Sequence, residues 1–316
     1  RPLRVGMVTH SFYESDNRVT RYAEALARRG DEVEVLALAS RADQPKKENV
    51  QGVHLTRLQR RNRRHGMGKL AFLFPLLRFC TTASFYLAFR HLRRRYDLIH
   101  AHNIPDFVVF TAWLPRHLGT PVILDIHDIV PEFYASKFGG PDNAPAARLL
   151  RWVERASCRF ASHVVISNHL WRERLVHRSV PDRRCSVFVN HVDSSIFQPR
   201  PRSRQDDRFV ILFPGGLQWH QGLDIAIQAL HRVATEFPRA ELHLYGDGDK
   251  KAELVQLTQQ LGLDGRVQFH AGRPLREIAQ IMADADLGVV PKRADSFGNE
   301  AYSTKIMEFM STGVPV

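Results

Sequence analysis

Short apolar runs alternate with amphipathic stretches at the start of the chain. Residues 4–10 form an apolar run that predicts a buried strand, and residues 17–29 place apolar side chains at helical spacing. Gly30 ends this helix, and residues 32–38 alternate between polar and apolar positions as a second strand. A strand, a helix and a second strand in this order predict the first βαβ unit of a parallel sheet.

The same alternation continues to the end of the chain. Apolar runs, each preceded by a helix-compatible stretch, predict strands at residues 98–102, 122–127, 163–167 and 186–189. Further on, strands predicted at 209–213, 241–245, 267–270 and 287–290 alternate with helices predicted at 222–236, 251–261 and 275–283. This rhythm predicts an α/β fold with two Rossmann-like, doubly wound parallel sheets.

A polar, proline-bearing run separates the two halves. Residues 200–207 have no apolar side chain apart from a proline, which is typical of a linker. We therefore predict an N-terminal domain over residues 1–199 and a C-terminal domain over residues 208–316, facing each other across a cleft at the carboxyl ends of their strands. The final residues, 313–316, resemble a helix end followed by a new strand, so we expect the second domain to be incomplete at its C-terminus.

The charge of the chain is strongly positive and unevenly distributed. A formal net charge of +12 predicts an anionic partner. Residues 55–96 contain many arginines and neither aspartate nor glutamate, and their middle is rich in leucine and aromatic residues. Pro75 and Arg78 argue against a membrane-spanning helix. We predict a basic amphipathic surface that lies on anionic lipid; the alternative is an apolar stretch packed on the sheet beside solvated arginines.

Several functional classes lack support in the sequence. The three cysteines, Cys80, Cys158 and Cys185, have no metal-binding spacing and fit reduced thiols in the cytoplasm. A complete GxGxxG fingerprint is missing, which disfavours a hydride-transferring enzyme. The arginines lie beside aliphatic residues rather than on a stacking platform, so we expect no nucleic-acid partner.

Two segments of the predicted second domain have features that suit a phosphate. A predicted strand ends in Gly246-Asp247-Gly248, where backbone can approach a ligand, although such a pair alone is more often a tight turn. Ser303 or Thr304 is expected to cap a helix whose first turn contains Lys305. The free amides and positive end of such a helix suit a diphosphate.

Two glutamates lie on either side of this helix start. Glu300 precedes the cap, and Glu308 lies about one turn inside the helix. Glutamates in such places are usually solvated. Together with Gly313 and Pro315, however, they resemble the signature of glycosyltransferase family 4, which has two glutamates separated by seven residues and then a small residue, a glycine and a proline. The similarity extends over nearly the whole chain, through residues 16–18, 125–128, 189–193, 215–217 and 246–248.

The resemblance implies a retaining enzyme of the GT-B fold that transfers a sugar from a UDP- or GDP-linked donor to an acceptor hydroxyl. Glu300 would bind the donor sugar beside the reacting carbon, His127 would face that sugar from the first domain, and Asp128 would handle the proton of the acceptor. No cofactor or metal besides the donor is implied; Asp247 and Asp249 are the nearest approach to a metal-binding acidic pair. The residues expected to bind the donor are Gly215, Gly216, His220, Gly246, Tyr302, Ser303, Thr304, Lys305 and Glu308, the last on the ribose.

One loop departs from the family pattern. The family usually has an arginine and a lysine in the glycine loop after the first strand of the second domain, where this chain has Gly216 and Gln221. We expect His220 and Lys305 to replace part of the missing charge, and Trp219 to stack on the sugar or the base.

Two other hypotheses stay open at the level of sequence. A nucleotide-sugar epimerase on the same architecture would need no acceptor, and a membrane-bound scaffold would have kept the fold without catalysis. For the transferase, the basic segment favours a saccharide or lipid-linked acceptor at the cytoplasmic face of a membrane, in cell-surface polysaccharide or glycolipid synthesis.

Overall fold

The computed structural model describes residues 1–60, 69–138, 145–295 and 298–316 of the chain. These residues form two compact units. The N-terminal unit consists of Arg1–Ala135 and Gly140–Val189, and the C-terminal unit of Ser136–Gly139 and Asn190–Val316.

The N-terminal unit is built on an eight-stranded sheet. Its strands are β1 (Arg4–Phe12), β2 (Glu32–Ala39), β3 (Lys47–Val50), β4 (Val53–Arg60), β5 (Leu98–His102), β6 (Val122–Ile126), β7 (His163–Ile166) and β8 (Cys185–Val187). They lie in the order β3-β4-β2-β1-β5-β6-β7-β8. All neighbours are parallel except β3 and β4, which form an antiparallel pair at one edge.

In the described part of the chain, six α-helices lie between these strands, and the last residues of α4 belong to the C-terminal unit. They are α1 (Asn17–Arg28), α2 (Lys69–Arg93), α3 (Trp113–His117), α4 (Val130–Phe138), α5 (Pro145–Phe160) and α6 (His169–Arg178). The carboxylate of Asp16 accepts a hydrogen bond from the Val19 amide and so caps α1. Val19 and Ala23 of this helix pack on the buried residues of β1 and β2, which explains the apolar runs in the sequence.

Helix α2 continues through Pro75 and has two different faces. Phe79 and Leu87 are fully buried, whereas Phe74 and Phe85 are 70% and 72% exposed. One face of the helix therefore packs against the unit, as the second alternative predicts, and the other face is apolar and exposed. The predicted contact with anionic lipid stays a prediction. None of the helices in the described part of the chain is both long enough and apolar enough to cross a membrane.

The basic surface predicted over residues 55–96 is smaller than the sequence indicates. Arg57 is buried and forms ion pairs with Glu14 and Glu48, and Arg90 pairs with Glu34. These acidic partners come from other parts of the chain, so the local absence of carboxylates did not reveal them. Arg61, Arg63 and Arg64 lie outside the described residues.

The C-terminal unit contains a four-stranded parallel sheet in the described residues. The strands are β9 (Phe209–Pro214), β10 (Ala240–Tyr245), β11 (Val267–His270) and β12 (Leu287–Gly288), and the helices are α7 (Leu223–Val233), α8 (Lys251–Gln260), α9 (Leu275–Ala283) and α10 (Thr304–Thr312). The strands lie in the order β11-β10-β9-β12. Phe213 of β9 packs with residues of α7 and α8, while its neighbour Leu212 packs with residues of α9 and α10. Helices therefore cover both faces of the sheet.

The structural division differs from the predicted domain boundaries at 199 and 208. The C-terminal unit begins at Asn190, because Phe197 is buried in its core beside Leu212 and Phe309. The predicted linker over residues 200–207 is also fixed to this unit, since Arg204 pairs with Asp286 and the Ser203 hydroxyl donates to Asp284. Its polar side chains are held by ion pairs, which a polarity pattern alone does not distinguish from a solvated linker.

Candidate active site

Two glycine loops meet at the carboxyl edge of the C-terminal sheet. Gly215 follows β9 and Gly246 follows the neighbouring strand β10, and the Gly215 amide donates to the Tyr245 carbonyl over 2.8 Å. A Cβ added to Gly246 would lie 2.0 Å from the Gly215 oxygen, and its φ of +152° disfavours other residues. The Leu217 amide, next to Gly216, donates to the Asp247 carbonyl over 3.0 Å. The two loops are therefore packed backbone against backbone.

Helix α10 begins beside these loops. Ser303 is its N-cap residue, as predicted, but its hydroxyl makes no capping hydrogen bond. A Cβ on Gly215 would come within 2.6 Å of Lys305 Cε and 3.1 Å of its Nζ, so the lysine occupies the space that a side chain at position 215 would need. Lys305 Nζ also lies 5.1 Å from the centre of the Phe213 ring. The structure thus joins Gly215, Gly246 and Lys305 into one group, which we call the glycine–lysine site.

The electrostatics of the glycine–lysine site favour an anion. Burial lowers the pKa of Lys305, Glu308 one turn later opposes this, and Lys292 adds to the lowering. An ammonium at the N-terminus of a helix is repelled by the positive end of the helix dipole. A bound phosphate would relieve this repulsion and accept hydrogen bonds from the helix amides.

The other predicted donor-binding residues lie close in sequence to Gly215 or Lys305 of the glycine–lysine site. Tyr302 is exposed and Thr304 is half-buried, and both adjoin the Ser303 cap. Glu300 is half-buried in the turn before the cap, and Glu308 follows Lys305 on the same helix. His220 lies in a short turn after Gly216, where its Nε2 is 2.9 Å from Gln221 Nε2.

Sequence analysis missed a second cation in this region. Arg293 donates to the Trp219 carbonyl, pairs with Asp224 at 2.6 Å, and stacks its guanidinium 4.2 Å from the centre of the Trp219 ring. It also lines a cavity of about 250 Å³ together with Trp219, Asp224 and Lys250. Arg293 lies far along the chain from the glycine loop, so no local pattern indicated its place.

A separate polar cluster lies at the carboxyl ends of β5 and β6 in the N-terminal unit. Asp125 is fully buried, and both of its oxygens accept hydrogen bonds from Arg18 at 2.8 Å. His127 Nε2 lies 3.4 Å from Asp125 Oδ2 and 3.3 Å from His102 Nδ1. His102 Nδ1 is itself 3.2 Å from the same carboxylate oxygen. We call these four side chains the Asp125 cluster.

The backbone around His127 is also held in place. The His127 amide donates to Asn103 Oδ1 over 2.7 Å, and its carbonyl accepts a hydrogen bond from the Ser167 hydroxyl. Asn103 in turn donates to Asp106 and to the carbonyl of Asp128. Predicted residue Asp128 is half-buried beside His127.

The Asp125 cluster shifts the pKa values of its members in opposite directions. Burial would raise the pKa of Asp125, but His127, His102 and Arg18 together hold it well below its ordinary value. Burial alone would lower the pKa of His127, yet the Asp125 carboxylate raises it. Burial lowers the pKa of His102 despite the same carboxylate. The cluster therefore holds an ionised aspartate that favours the protonated form of His127.

The same carboxylate and two histidines invite comparison with a metal site. Among the described residues, ligand atoms of His100, His102 and Asp125 lie within 4.8 Å of one another. Both oxygens of Asp125 already accept hydrogen bonds from Arg18. The guanidinium opposes a second cation at this carboxylate, so the geometry fits a buried ion pair with neighbouring histidines better than a metal centre.

The sequence pattern could have predicted that His102 and Asp125 lie close together. His100 and His102 are two residues apart on β5, so they share one face of the sheet, and β6 pairs with β5 so that His102 is opposite Asp125. The carboxyl ends of parallel strands meet at one edge. Arg18 comes from α1 and could not be placed by that reasoning.

Two family models match consecutive parts of the chain. The glycosyl transferase 4-like domain matches residues 15–191, and glycosyl transferases group 1 matches residues 195–316. The gpi3 subunit of phosphatidylinositol N-acetylglucosaminyltransferase from Schizosaccharomyces pombe is 24% identical over 237 residues, which are 74% of this chain and 49% of that protein. The chain thus spans about half the length of this relative.

Solved structures share the architecture at low sequence identity. Sucrose-phosphate synthase from Thermosynechococcus elongatus matches with a TM-score of 0.78 and 18% identity, over 100% of this chain and 80% of that one. Anabaena HepE in complex with UDP-glucose matches with a TM-score of 0.72 and 21% identity, over 99% and 79%. At such identities the likeness concerns the fold. The family and fold predictions are confirmed: the chain belongs to the glycosyl transferase 4-like and group 1 family and has the GT-B fold.

Proposed function

We propose that this glycosyltransferase moves a sugar from a UDP- or GDP-linked donor to an acceptor hydroxyl with retention of anomeric configuration. The observation that carries the proposal is the glycine–lysine site, where Lys305 packs on Gly215 at the start of α10. Anabaena HepE is a structural neighbour that binds UDP-glucose, which supports a nucleotide sugar as donor. The donor is a substrate, and the proposal involves neither a metal nor another cofactor.

In the proposed reaction, the bond between the anomeric carbon and the diphosphate oxygen breaks. The negative charge that grows on the leaving diphosphate is stabilised by Lys305 and by the free amides of Tyr302, Ser303 and Thr304. Glu300 holds the sugar hydroxyls and Glu308 the ribose. The acceptor oxygen then bonds to the anomeric carbon, and Asp128 takes up its proton.

Arg293 partly replaces the arginine and lysine that the family usually has in the glycine loop. Gly216 and Gln221 bring no charge, but Arg293 reaches the carbonyl of Trp219 from another loop. Part of its charge is neutralised by Asp224. We therefore assign the main phosphate contact to Lys305, with His220 and Arg293 as weaker contributors near Trp219.

The experiment is a donor survey with the full chain. UDP- and GDP-sugars are incubated with saccharide and lipid-linked acceptors, the released nucleotide is measured, and the anomeric proton of the product is examined by NMR. Lys305→Met should lower kcat by about 10²–10³, the usual effect of removing one group that stabilises the departing charge. Lys47→Met is the matched control, because Lys47 is an exposed lysine on the edge strand β3 of the N-terminal unit.

Three outcomes would contradict the proposal. Release of no nucleotide from any donor by the folded protein would reject transfer from a nucleotide sugar. Conversion of the donor alone into a second sugar would indicate an epimerase. An inverted anomeric proton in the product would reject retention.

We further propose that the acceptor lies at an anionic membrane surface on the cytoplasmic side, in polysaccharide or glycolipid assembly. Helix α2 exposes Phe74, Phe85 and Phe89 on one face, and Arg93 stacks 4.1 Å from the Phe89 ring. Exposed aromatic side chains beside arginines suit the boundary between lipid headgroups and acyl chains.

Vesicle binding tests this second part independently of catalysis. Phe74→Ser with Phe85→Ser should weaken binding to vesicles that contain phosphatidylserine by at least about tenfold, since each buried aromatic contributes about 1.5–3 kcal/mol. Phe237→Ser changes an aromatic residue of similar exposure in the C-terminal unit and serves as the control. Equal binding of both variants, or binding that ignores the anionic lipid, would contradict membrane docking.

A further inference from the structure

The Asp125 carboxylate forms a bidentate ion pair with Arg18. Arg18 donates from Nε to one oxygen and from a terminal nitrogen to the other, both at 2.8 Å. Its remaining terminal nitrogen donates to the Phe188 carbonyl over 2.7 Å. Three directed hydrogen bonds fix the guanidinium, and the bidentate pair fixes the orientation of the carboxylate.

His127 is the most exposed member of the Asp125 cluster. The side chains of Asp125 and His102 are 0% exposed and that of Arg18 is 7% exposed, whereas that of His127 is 17% exposed. The contacts of His127 with Asp125 and His102 are made through Nε2 rather than through Nδ1.

We propose that Asp125 is a positioning residue of this glycosyltransferase: held by Arg18, its carboxylate accepts a hydrogen bond from His127 Nε2–H and so fixes the ring and its tautomer, leaving Nδ1 to meet the substrate. This inference rests on the proposed function, because it takes His127 as the group that contacts the donor sugar. Neutral His127 then presents a lone pair on Nδ1, and protonated His127 presents an N–H donor there. Because the Asp125 carboxylate raises the pKa of His127, the protonated form of His127, which donates from Nδ1, persists to higher pH.

Other charges near His127 do not replace that of Asp125. Asp16, which precedes α1, raises the pKa of His127, and Arg18 lowers it. His100 and His102 of β5 are buried and have lowered pKa values, so they are neutral near pH 7. Asp106 accepts a hydrogen bond from the Asn103 side chain and not from the ring of His127, and burial raises the pKa of Asp106 to about 7. Asp128 is the next residue in the chain and belongs to the same loop.

The experiment is an NMR titration of histidine-labelled full-length protein between about pH 5 and pH 9, with His127→Gln used to assign the resonance. In Asp125→Asn the pKa of His127 should fall by about 1–3 pH units, the usual influence of one opposite charge at this distance. The pH limb of kcat assigned to His127 should move by the same amount. His100→Gln is the matched control: it changes a buried histidine beside Asp125 and should leave the pKa of His127 in place.

A second variant keeps the proposal testable if Asp125→Asn does not fold. Arg18→Lys retains the charge behind Asp125 but loses the bidentate clamp, so kcat should fall at least about tenfold while the pKa of His127 stays raised. An unchanged kcat in Arg18→Lys, or an unchanged His127 pKa in folded Asp125→Asn, would overturn the positioning role.

The titration separates this inference from the proposed function. It needs no substrate, so its result does not depend on the identity of the donor. If His127→Gln transfers sugar at the normal rate, the contact with the donor sugar that the family resemblance implies for His127 is wrong. If His127→Gln is inactive but Asp125→Asn has normal pH dependence and rate, only the positioning role is wrong.

Discussion

The two units of this protein build their functional regions by opposite means. The Asp125 cluster consists of buried side chains whose charges must be matched, as the pair with Arg18 shows. The glycine–lysine site consists of backbone from which side chains are absent, and its cation fills the space beside Gly215. The stability of the first should depend mainly on its paired charges, and the second should tolerate neither an added methyl group nor a lost cation.

The largest effect is expected from removing the charge in the N-terminal unit. Asp125→Asn keeps the shape of the side chain but leaves Arg18 buried without its anion, which should lower the free energy of unfolding by about 3–5 kcal/mol. Urea denaturation measures this loss. Asp43→Asn is the control, because Asp43 and Arg41 pair in the open, with 73% and 72% of their side chains exposed. Equal stability of the two variants would show that the cluster does not depend on paired charge.

Adding a methyl group to the C-terminal unit should have a somewhat smaller effect. In Gly246→Ala the new Cβ meets the Gly215 oxygen at 2.0 Å, so the two loops must separate or the backbone must change. We expect a loss of about 3 kcal/mol by thermal or urea unfolding. Gly262→Ala tests backbone conformation alone, since Gly262 has a φ of +64° with no atom near its Cβ position. That variant should lose only about 1 kcal/mol; a larger loss there than at Gly246 would contradict the role of loop contact.

The smallest effect concerns the pH dependence of stability that His100, a buried histidine beside the Asp125 cluster, should cause. Burial, chiefly, holds the pKa of His100 well below its ordinary value of about 6.5. The unfolded chain therefore takes up a proton that the folded protein excludes, and stability falls as the pH drops below about 6.5. Between about pH 6.5 and 5.5, wild type should lose about 1 kcal/mol more than His100→Gln, as measured by urea denaturation at each pH. Parallel curves for the two proteins would show that His100 is not held neutral by the fold.

The sequence predicted strands better than it predicted edges and boundaries. The strand at 98–102 has the same bounds in the structure, because it is a buried apolar run between polar residues. The β3–β4 pair was missed, since β3 is largely exposed and its polar residues lack an apolar pattern. The linker at 200–207 was misplaced because its charges find distant partners such as Asp286.

The candidate site shows the same limit. The start of α10 at Ser303 followed from capping preferences, which are local. The contact between Lys305 and Gly215 and the pair between Arg18 and Asp125 join residues that are far apart in the chain. Such contacts depend on how helices pack on strands, and a single sequence contains no direct record of that packing.

Lys305 lies in the first turn of helix α10, where the positive end of the helix dipole repels its ammonium group. Because of this repulsion, binding of an anion at the glycine–lysine site is linked to the stability of the fold. A ligand that relieves the repulsion binds the native state and not the unfolded chain. Each tenfold increase of free nucleotide above its dissociation constant should then add about 1.4 kcal/mol to the stability of the protein. Resistance to unfolding in the cell would accordingly follow the supply of nucleotide, and melting curves would report ligand preference without any need for turnover.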